Sequence, residues 1–365
     1  MLLLYILIGL FVLAYVLLTL FVGFGFRNRL VMSTLKSENA HSGISIVVPY
    51  RNEADNLTHF LEHLLNSKLP EQYELILVND DSIDNSLAIC ESYSHKGNIR
   101  CVNSQGVGKK QALHSGILSA QYNCILTLDA DVLLSAQCVQ LMYDKFHAEA
   151  LKMLCGLVKF KPSKTLFEQL QAIESSVMVA YSAMSLDYGL PSTCNGACLM
   201  FNRDVFLQLG GYDAHKTLAS GDDDLLMQSF FKAYPDQVKY MNHAEAYVVA
   251  ATCDSSKAFI QQRLRWASKH KAYFYPYNAV LSRILGLRFL LFWVLVFTAI
   301  VYTSVWSLIG ITAILLSEWI SLSAMNGFFV CKTRGVFLLS LYFWYLPLLL
   351  LNIRSQTILW KGRPI

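Results

Sequence analysis

Apolar residues divide the chain into three zones. An uncharged apolar run, LLLYILIGLFVLAYVLLTLFVGF, follows Met1, and a second apolar zone begins near Leu285 and reaches Leu351, with a more polar stretch between them. The first run has about the 20 residues that a helix needs to cross a bilayer. A cleaved signal peptide would begin with basic residues and have a shorter apolar stretch. We therefore predict a transmembrane anchor over residues 1–26.

The C-terminal apolar zone, residues 285–353, is also predicted to cross the membrane. Residues 287–330 fit either one long tilted span or a tight pair of spans interrupted near Gly310 and Glu318–Trp319, and a last apolar segment covers residues 336–351. The two interpretations give two or three segments in this zone, followed by a short tail. The whole chain then has about three or four spans.

Between the apolar zones, short β-branched runs alternate with helical patterns. ISIVV, which ends before Pro49, and ELILVND have the continuous apolar character of buried parallel strands, and further strands are predicted near IRCV and at CILTLD. Leu57, Phe60 and Leu61 share one face of a predicted helix, and KQALHSGILSA is another helix. This order predicts an α/β domain over residues 42–275, with a mostly parallel sheet and helices on both faces.

Composition and charge extend this picture to the membrane. Hydrophobic residues make up 54% of the chain and charged residues only 15%, which is too apolar for an ordinary soluble enzyme. Because cytoplasmic flanks of spans are rich in Lys and Arg, we predict an integral protein of the cell (inner) membrane with a cytoplasmic middle domain. The net charge of +4 reflects basic residues beside anionic lipid, so no nucleic-acid partner is expected. The basic residues beside the apolar zones are Arg27, Arg29, Lys36, Arg263, Arg265, Lys269, Lys271, Arg283 and Arg288.

Polar residues follow three of the predicted strands, at the point where each strand ends. In open α/β sheets, ligands bind at the carboxyl ends of the strands. We therefore expect these polar clusters to meet at one edge of the sheet. The residues concerned are Pro49, Tyr50, Arg51, Asn52, Glu53, Asp80, Asp81, Ser82, Asp129 and Asp131.

Asp129 and Asp131 form a candidate metal site. Two carboxylates aimed at one place repel each other unless a cation lies between them or water solvates them well. Mg²⁺ or Mn²⁺ with open coordination positions would then hold a diphosphate. An ordinary acidic turn is the alternative, and the neighbouring polar clusters favour the metal site.

Asp80, Asp81 and Lys109 are candidates for contacts to a nucleotide. The two aspartates lie in DDSID, which is rich in turn formers, so they either end the strand in a turn or accept hydrogen bonds from a base and a ribose. Lys109 follows two glycines and opens a helix, a setting suited to phosphate. A solvated lysine pair with Lys110 is an equally good interpretation.

Two later segments carry further candidates. SGDDDLLMQSF places residues 222–224 at a predicted helix start, where aspartates cap the helix or supply a general base that deprotonates an acceptor hydroxyl. Gln262, Arg265 and Trp266 are spaced to share one helical face. This face offers a guanidinium to phosphate and an aromatic plane to a sugar or acceptor, or it belongs to a basic belt at the membrane interface.

The ordered motifs of the middle domain resemble the membrane-bound family-2 glycosyltransferases, the branch that includes cellulose, chitin and hyaluronan synthases and ceramide glucosyltransferase. The resemblance covers Ser45 to Trp266 and implies the A-type glycosyltransferase (GT-A) fold, a Rossmann-like α/β architecture, acting with inversion. Its segments are SIVVPYRNEADNL, LVNDDS, GKKQAL, LDAD, CNGACLMFNRDVFLQLGGYD, SGDDDLL and QQRLRW.

The resemblance also implies roles for residues of the donor site. Asp81, together with Asp80, would bind uridine, and Lys109 would lie near the donor. Asp129 and Asp131 would meet the metal ion and the diphosphate.

Further implied roles concern the base and the acceptor side. Asp223 would be the base, although three consecutive aspartates leave Asp222 as an alternative. Gln262, Arg265 and Trp266 match the QxxRW signature, beside the acceptor and the diphosphate.

The predicted function is transfer of a sugar from a nucleotide sugar, with UDP as the expected nucleotide, to a lipid-linked or growing saccharide acceptor. QxxRW favours a processive polysaccharide synthase, but a polymer channel would need more spans around a wet path. Limited transfer to a membrane acceptor is therefore preferred, and the amphipathic segment TLFEQLQAIESSVMVAYSAM could line its approach. A non-catalytic nucleotide-binding membrane scaffold would lack the acidic groups that are present here.

Overall fold

The computed structural model describes residues 2–32, 43–95, 97–161, 165–213, 221–268, 272–329, 359–360 and 363–364. The strands are β1 (Ile44–Tyr50), β2 (Tyr73–Asn79), β3 (Ile99–Asn103), β4 (Cys124–Leu128), β5 (Leu133–Leu134), β6 (Met153–Cys155), β7 (Leu157–Phe160), β8 (Cys198–Asn202), β9 (Val238–Tyr240), β10 (Tyr247–Ala250), β11 (Leu359–Trp360) and β12 (Arg363–Pro364). The α-helices are α1 (Leu2–Arg29), α2 (Ala54–Leu65), α3 (Ser86–Tyr93), α4 (Lys109–Ser119), α5 (Cys138–Ala148), α6 (Leu166–Asp187), α7 (Arg203–Gln208), α8 (Asp224–Ala233), α9 (Ser256–Ser268), α10 (Tyr277–Val301) and α11 (Val305–Phe329).

The central sheet has the strand order β3-β2-β1-β4-β8-β6-β9. β1 pairs in parallel with β2 and β4, β2 pairs in parallel with β3, and β6 pairs in parallel with β9. β8 is antiparallel to both of its neighbours. All seven residues of β1 are buried, and successive side chains of a strand point to opposite faces, so both faces of the sheet are covered. The predicted α/β fold with a mostly parallel sheet is confirmed.

A smaller sheet places a second segment beside the acidic turn that follows β4. Its order is β5-β10-β7, with β10 antiparallel to β5 and parallel to β7. β5 begins two residues after Asp131, and β10 ends at Ala250. Residues 251–255, which lead into α9, therefore leave the sheet close to the turn that carries Asp129 and Asp131.

Three of the described helices are long and apolar enough to cross a membrane. They cover Tyr5–Arg29 in α1, Ala279–Val301 in α10 and Val305–Phe329, which is α11. The described part of the C-terminal zone therefore contains a pair of helices and not one long helix. The apolar segment predicted over residues 336–351 lies outside the described residues.

The break between α10 and α11 was predicted at the wrong place. It lies at residues 302–304, where Thr303 has a left-handed φ of 48°. Gly310 and Glu318 both lie inside α11. A Cβ atom on Gly310 would be 3.2 Å from Leu295 Cδ1 of α10, so this glycine marks a close contact between two helices. Because glycine also occurs at helix contacts, its position alone does not locate a turn.

Arg288 was predicted as a charge flanking the membrane, and this is wrong. It lies inside α10, is fully buried, and donates from Nε and Nη2 to the two carboxylate oxygens of Glu318 at 2.9 Å each. The Tyr15 hydroxyl donates to Glu318 Oε1 at 2.6 Å. Charged groups among apolar helices are retained when they are paired. This polar cluster joins α1, α10 and α11.

The end of α1 is fixed to the middle domain. Arg29 donates from Nε to Asp187 Oδ2 at 2.8 Å and from Nη2 to Asp187 Oδ1 at 3.1 Å, and from Nη1 to the Met241 carbonyl at 2.8 Å. Next to it, the Val31 N–H donates to the Asn242 carbonyl at 2.8 Å. The apolar helices and the α/β domain therefore form one connected structure.

Candidate functional site

The carboxyl ends of β1, β2 and β4 border a cavity of about 410 Å³, here called the edge cavity. Most of the residues predicted for the site line it. Asn52, Asp81 and Ser82, which were expected at the same sheet edge, do not, and the Asp81 side chain is 77% exposed. The chain order of the strands thus brings together residues that are far apart in sequence. The predicted residues in the lining are Pro49, Tyr50, Arg51, Glu53, Asp80, Lys109, Asp129, Asp131, Asp222, Asp223, Gln262, Arg265 and Trp266.

Lys109 is a partly buried positive charge between two predicted acidic residues. Its Nζ lies 2.8 Å from Asp129 Oδ1 and 2.9 Å from Asp222 Oδ2. Burial lowers the pKa of Lys109, but the two carboxylates raise it by more, so the pKa lies above its ordinary value. Lys109 is therefore charged at neutral pH and is not a solvated surface lysine.

Asp129 and Asp131 lie at the turn between β4 and β5. Burial raises the pKa of Asp129, the Lys109 ammonium lowers it, and the Asp131 carboxylate adds to the rise, which gives a net increase. Among the described residues, no group of three or more His, Cys, Asp and Glu side chains converges on one point. Two carboxylates from the protein are suitable ligands for Mg²⁺ or Mn²⁺, because these hard ions take their other oxygen ligands from phosphates and water. The donor set fits a diphosphate-bound divalent ion.

Asp222 and Asp223 differ in their surroundings. Asp222 pairs with Lys109 inside the edge cavity. Asp223 is the N-cap of α8: its Oδ1 accepts from the Asp224 N–H at 2.7 Å, and its Oδ2 accepts from the Gly196 N–H at 3.3 Å. A carboxylate oxygen can accept more than one hydrogen bond. Asp223 is thus held in position by the backbone and retains acceptor capacity.

Asp224 has a structural role. It is only 2% exposed, and its Oδ1 accepts from the Thr193 hydroxyl at 2.6 Å and the Cys194 N–H at 2.9 Å. Its Oδ2 accepts from the Tyr273 hydroxyl at 2.7 Å. Asp224 therefore ties the loop before β8 and the segment before α10 to the start of α8.

Gly196 is a site residue that the sequence reasoning missed. A Cβ atom at this position would lie 3.0 Å from Asp222 Oδ2, 3.3 Å from Asp223 Cβ and 3.3 Å from Lys109 Nζ. A side chain here would push against the charged groups of the edge cavity. The Asn-Gly pair in CNGACLM is the available signal, since glycine permits close approach of the backbone to other groups.

Asp80 and Arg51 shape the wall of the edge cavity at the ends of β1 and β2. Asp80 is 1% exposed, and its Oδ1 accepts from the Gly108 N–H at 2.9 Å, which holds the turn before Lys109. Arg51 Nη1 donates to the Asp80 carbonyl at 2.7 Å and also to the Asp81 carbonyl. Asp81 itself has a left-handed φ of 54°. The two aspartates are therefore in different environments, with Asp80 holding the turn and Asp81 facing solvent.

α9 supplies Gln262, Arg265 and Trp266 to the edge cavity, as their spacing predicts. Its Arg263 was predicted among the basic residues beside the membrane, but its side chain is 7% exposed and pairs with Glu174 of α6. The Arg263 guanidinium also lies 4.4 Å from the Trp266 ring centroid. Arg263 therefore holds α9 against α6 and packs over the face of the Trp266 ring.

A second cavity of about 280 Å³, here called the helix cavity, lies between the α/β domain and the apolar helices. Its lining includes Leu18 of α1, Met178 of α6 and Leu322 of α11. Asn195, Asp223 and Trp266 line both cavities. The edge cavity and the helix cavity therefore meet at these three residues.

The match to a known family covers the first part of the α/β domain. Residues 45–210 match the family described as glycosyl transferase family 2. The class defined by the fold and this match is that of the glycosyltransferases. Residues 45–210 are a family-2 glycosyl transferase domain, as the ordered motifs predicted.

Curated relatives are bacterial. Over 244 residues the chain is 24% identical to a poly-β-1,6-N-acetyl-D-glucosamine synthase of Staphylococcus epidermidis, covering 66% of this chain and 57% of the relative. It is also 24% identical over 228 residues to the synthase of the same name from Staphylococcus aureus strain MSSA476, covering 62% of this chain and 54% of the relative. The chain thus spans a little over half the length of these relatives.

A solved structure shows the same fold over nearly the whole chain. It is that of the mannosyltransferase PcManGT from Pyrobaculum calidifontis, described as a complex with GDP-Man and Mn²⁺. The TM-score is 0.60 at 14% sequence identity, with 96% of this chain and 98% of the other covered. The fold of the α/β domain is therefore GT-A-like.

Proposed function

We propose that this protein is a membrane-bound inverting glycosyltransferase that moves a sugar from a nucleotide sugar, with UDP as nucleotide, to a lipid-linked or saccharide acceptor. The observation that carries the proposal is the position of Asp223 where the edge cavity and the helix cavity meet. A base at this junction can face a donor on one side and an acceptor on the other. The proposed reaction takes place at the cell (inner) membrane, with the catalytic domain on the cytoplasmic side, and the three helices long and apolar enough to cross a membrane support the membrane location.

The edge cavity is the proposed donor site. Lys109 supplies a positive charge beside Asp129, where the diphosphate would lie, and Asp81 is the solvent-facing candidate for uridine while Asp80 holds the neighbouring turn. Asp129 and Asp131 would hold Mg²⁺ or Mn²⁺, which when bound neutralises charge on the diphosphate. The complex of the mannosyltransferase of the same fold with GDP-Man and Mn²⁺ accords with a nucleotide-sugar donor and a divalent ion.

Asp223 is proposed as the general base, in preference to Asp222. Asp222 lines only the edge cavity and is paired with Lys109, whereas Asp223 lines both cavities. In the reaction, the acceptor oxygen forms a bond to the anomeric carbon while its proton passes to Asp223. The bond from the anomeric carbon to the phosphate oxygen breaks, and the nucleoside diphosphate leaves with the bonding electrons. A single displacement of this kind inverts the anomeric configuration.

A processive polysaccharide synthase is the second candidate. It is favoured by the match of Gln262, Arg265 and Trp266 to the QxxRW signature and by the names of the staphylococcal relatives. A third hypothesis is a non-catalytic nucleotide-binding scaffold. The acidic residues that converge with Lys109 in one cavity argue against it.

The test uses membranes that contain the full chain, incubated with a panel of radiolabelled UDP- and GDP-sugars. The expected result is transfer from one UDP-sugar, with label recovered in a lipid or a polymer fraction. Membranes containing the Asp223→Asn variant at the same level are the matched control and should lack this label. Label equal in both preparations, or no turnover of any nucleotide sugar, would contradict the proposal.

A further inference from the structure

The helix cavity connects Asp223, the proposed base, with the region of the apolar helices. From this arrangement we infer that the cavity binds the hydrocarbon chain of an amphiphilic acceptor, a membrane lipid whose hydroxyl-bearing head reaches Asp223. The inference rests on the proposed function and names the acceptor class that this function leaves open. The transferred sugar would then be attached to the head of a lipid and not to a free saccharide.

The surface of the helix cavity is mainly apolar, and the three helices that could cross a membrane all contribute aliphatic side chains to it. Leu18 and Val22 belong to α1, Leu281 and Leu285 to α10, and Met325 to α11. Burying hydrocarbon against such a surface is favourable, at about 25 cal/mol for each Å² removed from water. A saccharide chain would present hydroxyl groups to these side chains, and each hydroxyl without a partner would cost free energy.

Polar groups line the helix cavity where it meets the edge cavity. Asn195, Asp223 and the Tyr273 hydroxyl lie at this end, and they suit the polar head of a lipid. The Asp223 carboxylate is proposed to accept the proton of an attacking hydroxyl here. Serine and threonine hydroxyls also occur along the walls, among mainly apolar side chains. The cavity therefore offers partners for a head group beside Asp223 and apolar surface for a hydrocarbon chain beyond it.

Two other acidic residues in the lining are already paired with arginine. Glu174 accepts from Arg263, and Glu318 accepts from Arg288 and from the Tyr15 hydroxyl. Pairing reduces the electrostatic cost of placing a hydrocarbon chain beside these carboxylates. The Glu318 cluster also marks the far end of the cavity. Val22 and Tyr15 both line it and are seven residues apart in α1, which is about 10 Å of helix.

The experiment uses the purified full chain in nanodiscs of dioleoylphosphatidylcholine and a defined probe, hexadecanol with a diazirine near the end of its chain. Photolysis should crosslink the probe to residues 15–22 of α1 and 322–325 of α11, and excess unlabelled hexadecanol should compete. Filling the cavity with Leu18→Trp or Leu281→Trp should lower this crosslinking about tenfold, the effect of losing about 1.4 kcal/mol of binding.

Matched controls carry the same substitution on the outer surface of the same helices. Leu17 of α1 is 59% exposed and Leu287 of α10 is 53% exposed, so Leu17→Trp and Leu287→Trp should crosslink like the unmodified chain. Two filling variants on different helices are used, so that misfolding of one does not decide the result. Circular dichroism and elution as a single species establish that each variant is folded.

Transfer provides the second measurement. With the nucleotide sugar identified by the donor panel, label should enter the butanol-soluble lipid fraction, and the filling variants should lower this label about tenfold. Hydrolysis of the nucleotide sugar by water should be unchanged in the same variants, because the edge cavity is intact. If no nucleotide sugar is turned over at all, the proposed function fails, while the crosslinking still reports on the cavity.

Three results would overturn the inference. One is crosslinking that is equal in the filling variants and their controls. Another is crosslinking confined to outward-facing residues such as Leu10, which is 59% exposed. The last is label found only in a water-soluble polymer whose yield the filling variants do not change, since that result would assign the cavity no part in acceptor binding.

Discussion

Asp223, the proposed base, is held in position by its contacts with the backbone. It caps α8 and accepts from the Gly196 N–H, so both oxygens have fixed directions. The next residue, Asp224, accepts a hydrogen bond from the Thr193 hydroxyl, and the preceding residue, Asp222, forms an ion pair with Lys109. Three consecutive aspartates thus have three different environments, although they are identical in the sequence.

The base assignment is tested by Asp223→Asn. The amide cannot accept the proton, so transfer should fall roughly 100- to 10,000-fold, the usual contribution of general base catalysis. Binding of the nucleotide sugar, measured by isothermal titration, should be unchanged because Lys109 and Asp129 are untouched. Asp222→Asn serves as the comparison and should weaken donor binding, since it removes a partner of Lys109. Full transfer by Asp223→Asn would move the role of base to another residue.

Gly196→Ala should lower transfer without unfolding the protein. The added methyl group would lie 3.0 Å from Asp222 Oδ2 and 3.3 Å from Lys109 Nζ, so these groups must shift by a few tenths of an ångström. We expect a loss of about tenfold in kcat/KM, equivalent to about 1.4 kcal/mol. Gly327→Ala is the control, because a Cβ atom there has no heavy atom within 4 Å. Equal rates in both variants would show that the close approach at Gly196 has no catalytic consequence.

At the scale of elements, the apolar helices are joined by a polar cluster as well as by packing. Arg288 of α10 and Tyr15 of α1 both contact Glu318 of α11. Close packing supports this arrangement at Gly23, where a Cβ atom would clash with Ser321 of α11. Small residues at such contacts let helix backbones approach each other.

Arg288→Met should destabilise the helix assembly strongly. It leaves Glu318 buried without its guanidinium, and breaking a buried ion pair in this way costs about 3–5 kcal/mol. Removing both charges in Arg288→Met with Glu318→Gln should recover most of that loss. The measurement is thermal unfolding in detergent micelles, with Arg283→Met as control, since Arg283 is exposed on the same helix. A single variant as stable as the control would contradict the structural role of the pair.

Elements with a strong local pattern could be predicted, and those defined by tertiary contacts could not. β1, β2 and β4 are continuous apolar runs followed by polar turns, so both the strands and the sheet edge followed from the sequence. β6 and β9 have only three residues each, too few for a period to show. Arg288 looked like a flanking charge because its partner lies 30 residues away in another helix.

The site residues divide in the same way. Residues at strand ends converge because the topology requires it, which is why the edge cavity contains nearly all the predicted side chains. Gly196 belongs to the site because its loop lies close to Lys109 and Asp222. A local sequence pattern does not predict such a tertiary contact. The helix cavity depends on the packing of helices from distant parts of the chain, so the sequence could suggest only that the segment of α6 faces an acceptor.

At the scale of the whole molecule, the proposed donor and acceptor sites meet at Asp223, the proposed base. The edge cavity carries Lys109 and four aspartates besides Asp223, and the surface of the helix cavity is mainly apolar. A charged donor and an apolar acceptor chain can therefore enter from different sides. The α/β domain supplies the first environment, and the apolar helices supply much of the second.

Removal of divalent ions tests the proposed metal site in the edge cavity. Treatment with EDTA should abolish transfer, and added Mn²⁺ or Mg²⁺ should restore it, because Asp129 and Asp131 alone would repel the diphosphate. Asp131→Asn should remain inactive at metal concentrations that restore the unmodified chain. Binding of Mn²⁺ in the presence of UDP, followed by electron paramagnetic resonance, gives a readout independent of activity. Full activity in EDTA would contradict the metal site.

The attachment of α1 through Arg29 has a kinetic consequence. Since Arg29 is hydrogen-bonded to Asp187 and to the Met241 carbonyl, the proposed base Asp223 would stay at a constant height relative to the bilayer and would meet only acceptors in a thin layer at that height. Encounters with a lipid acceptor would then be governed by its mole fraction in that layer. Diluting the acceptor with inert phospholipid at constant bulk concentration should slow the enzyme, whereas diluting the whole suspension with buffer should leave the turnover per molecule nearly unchanged.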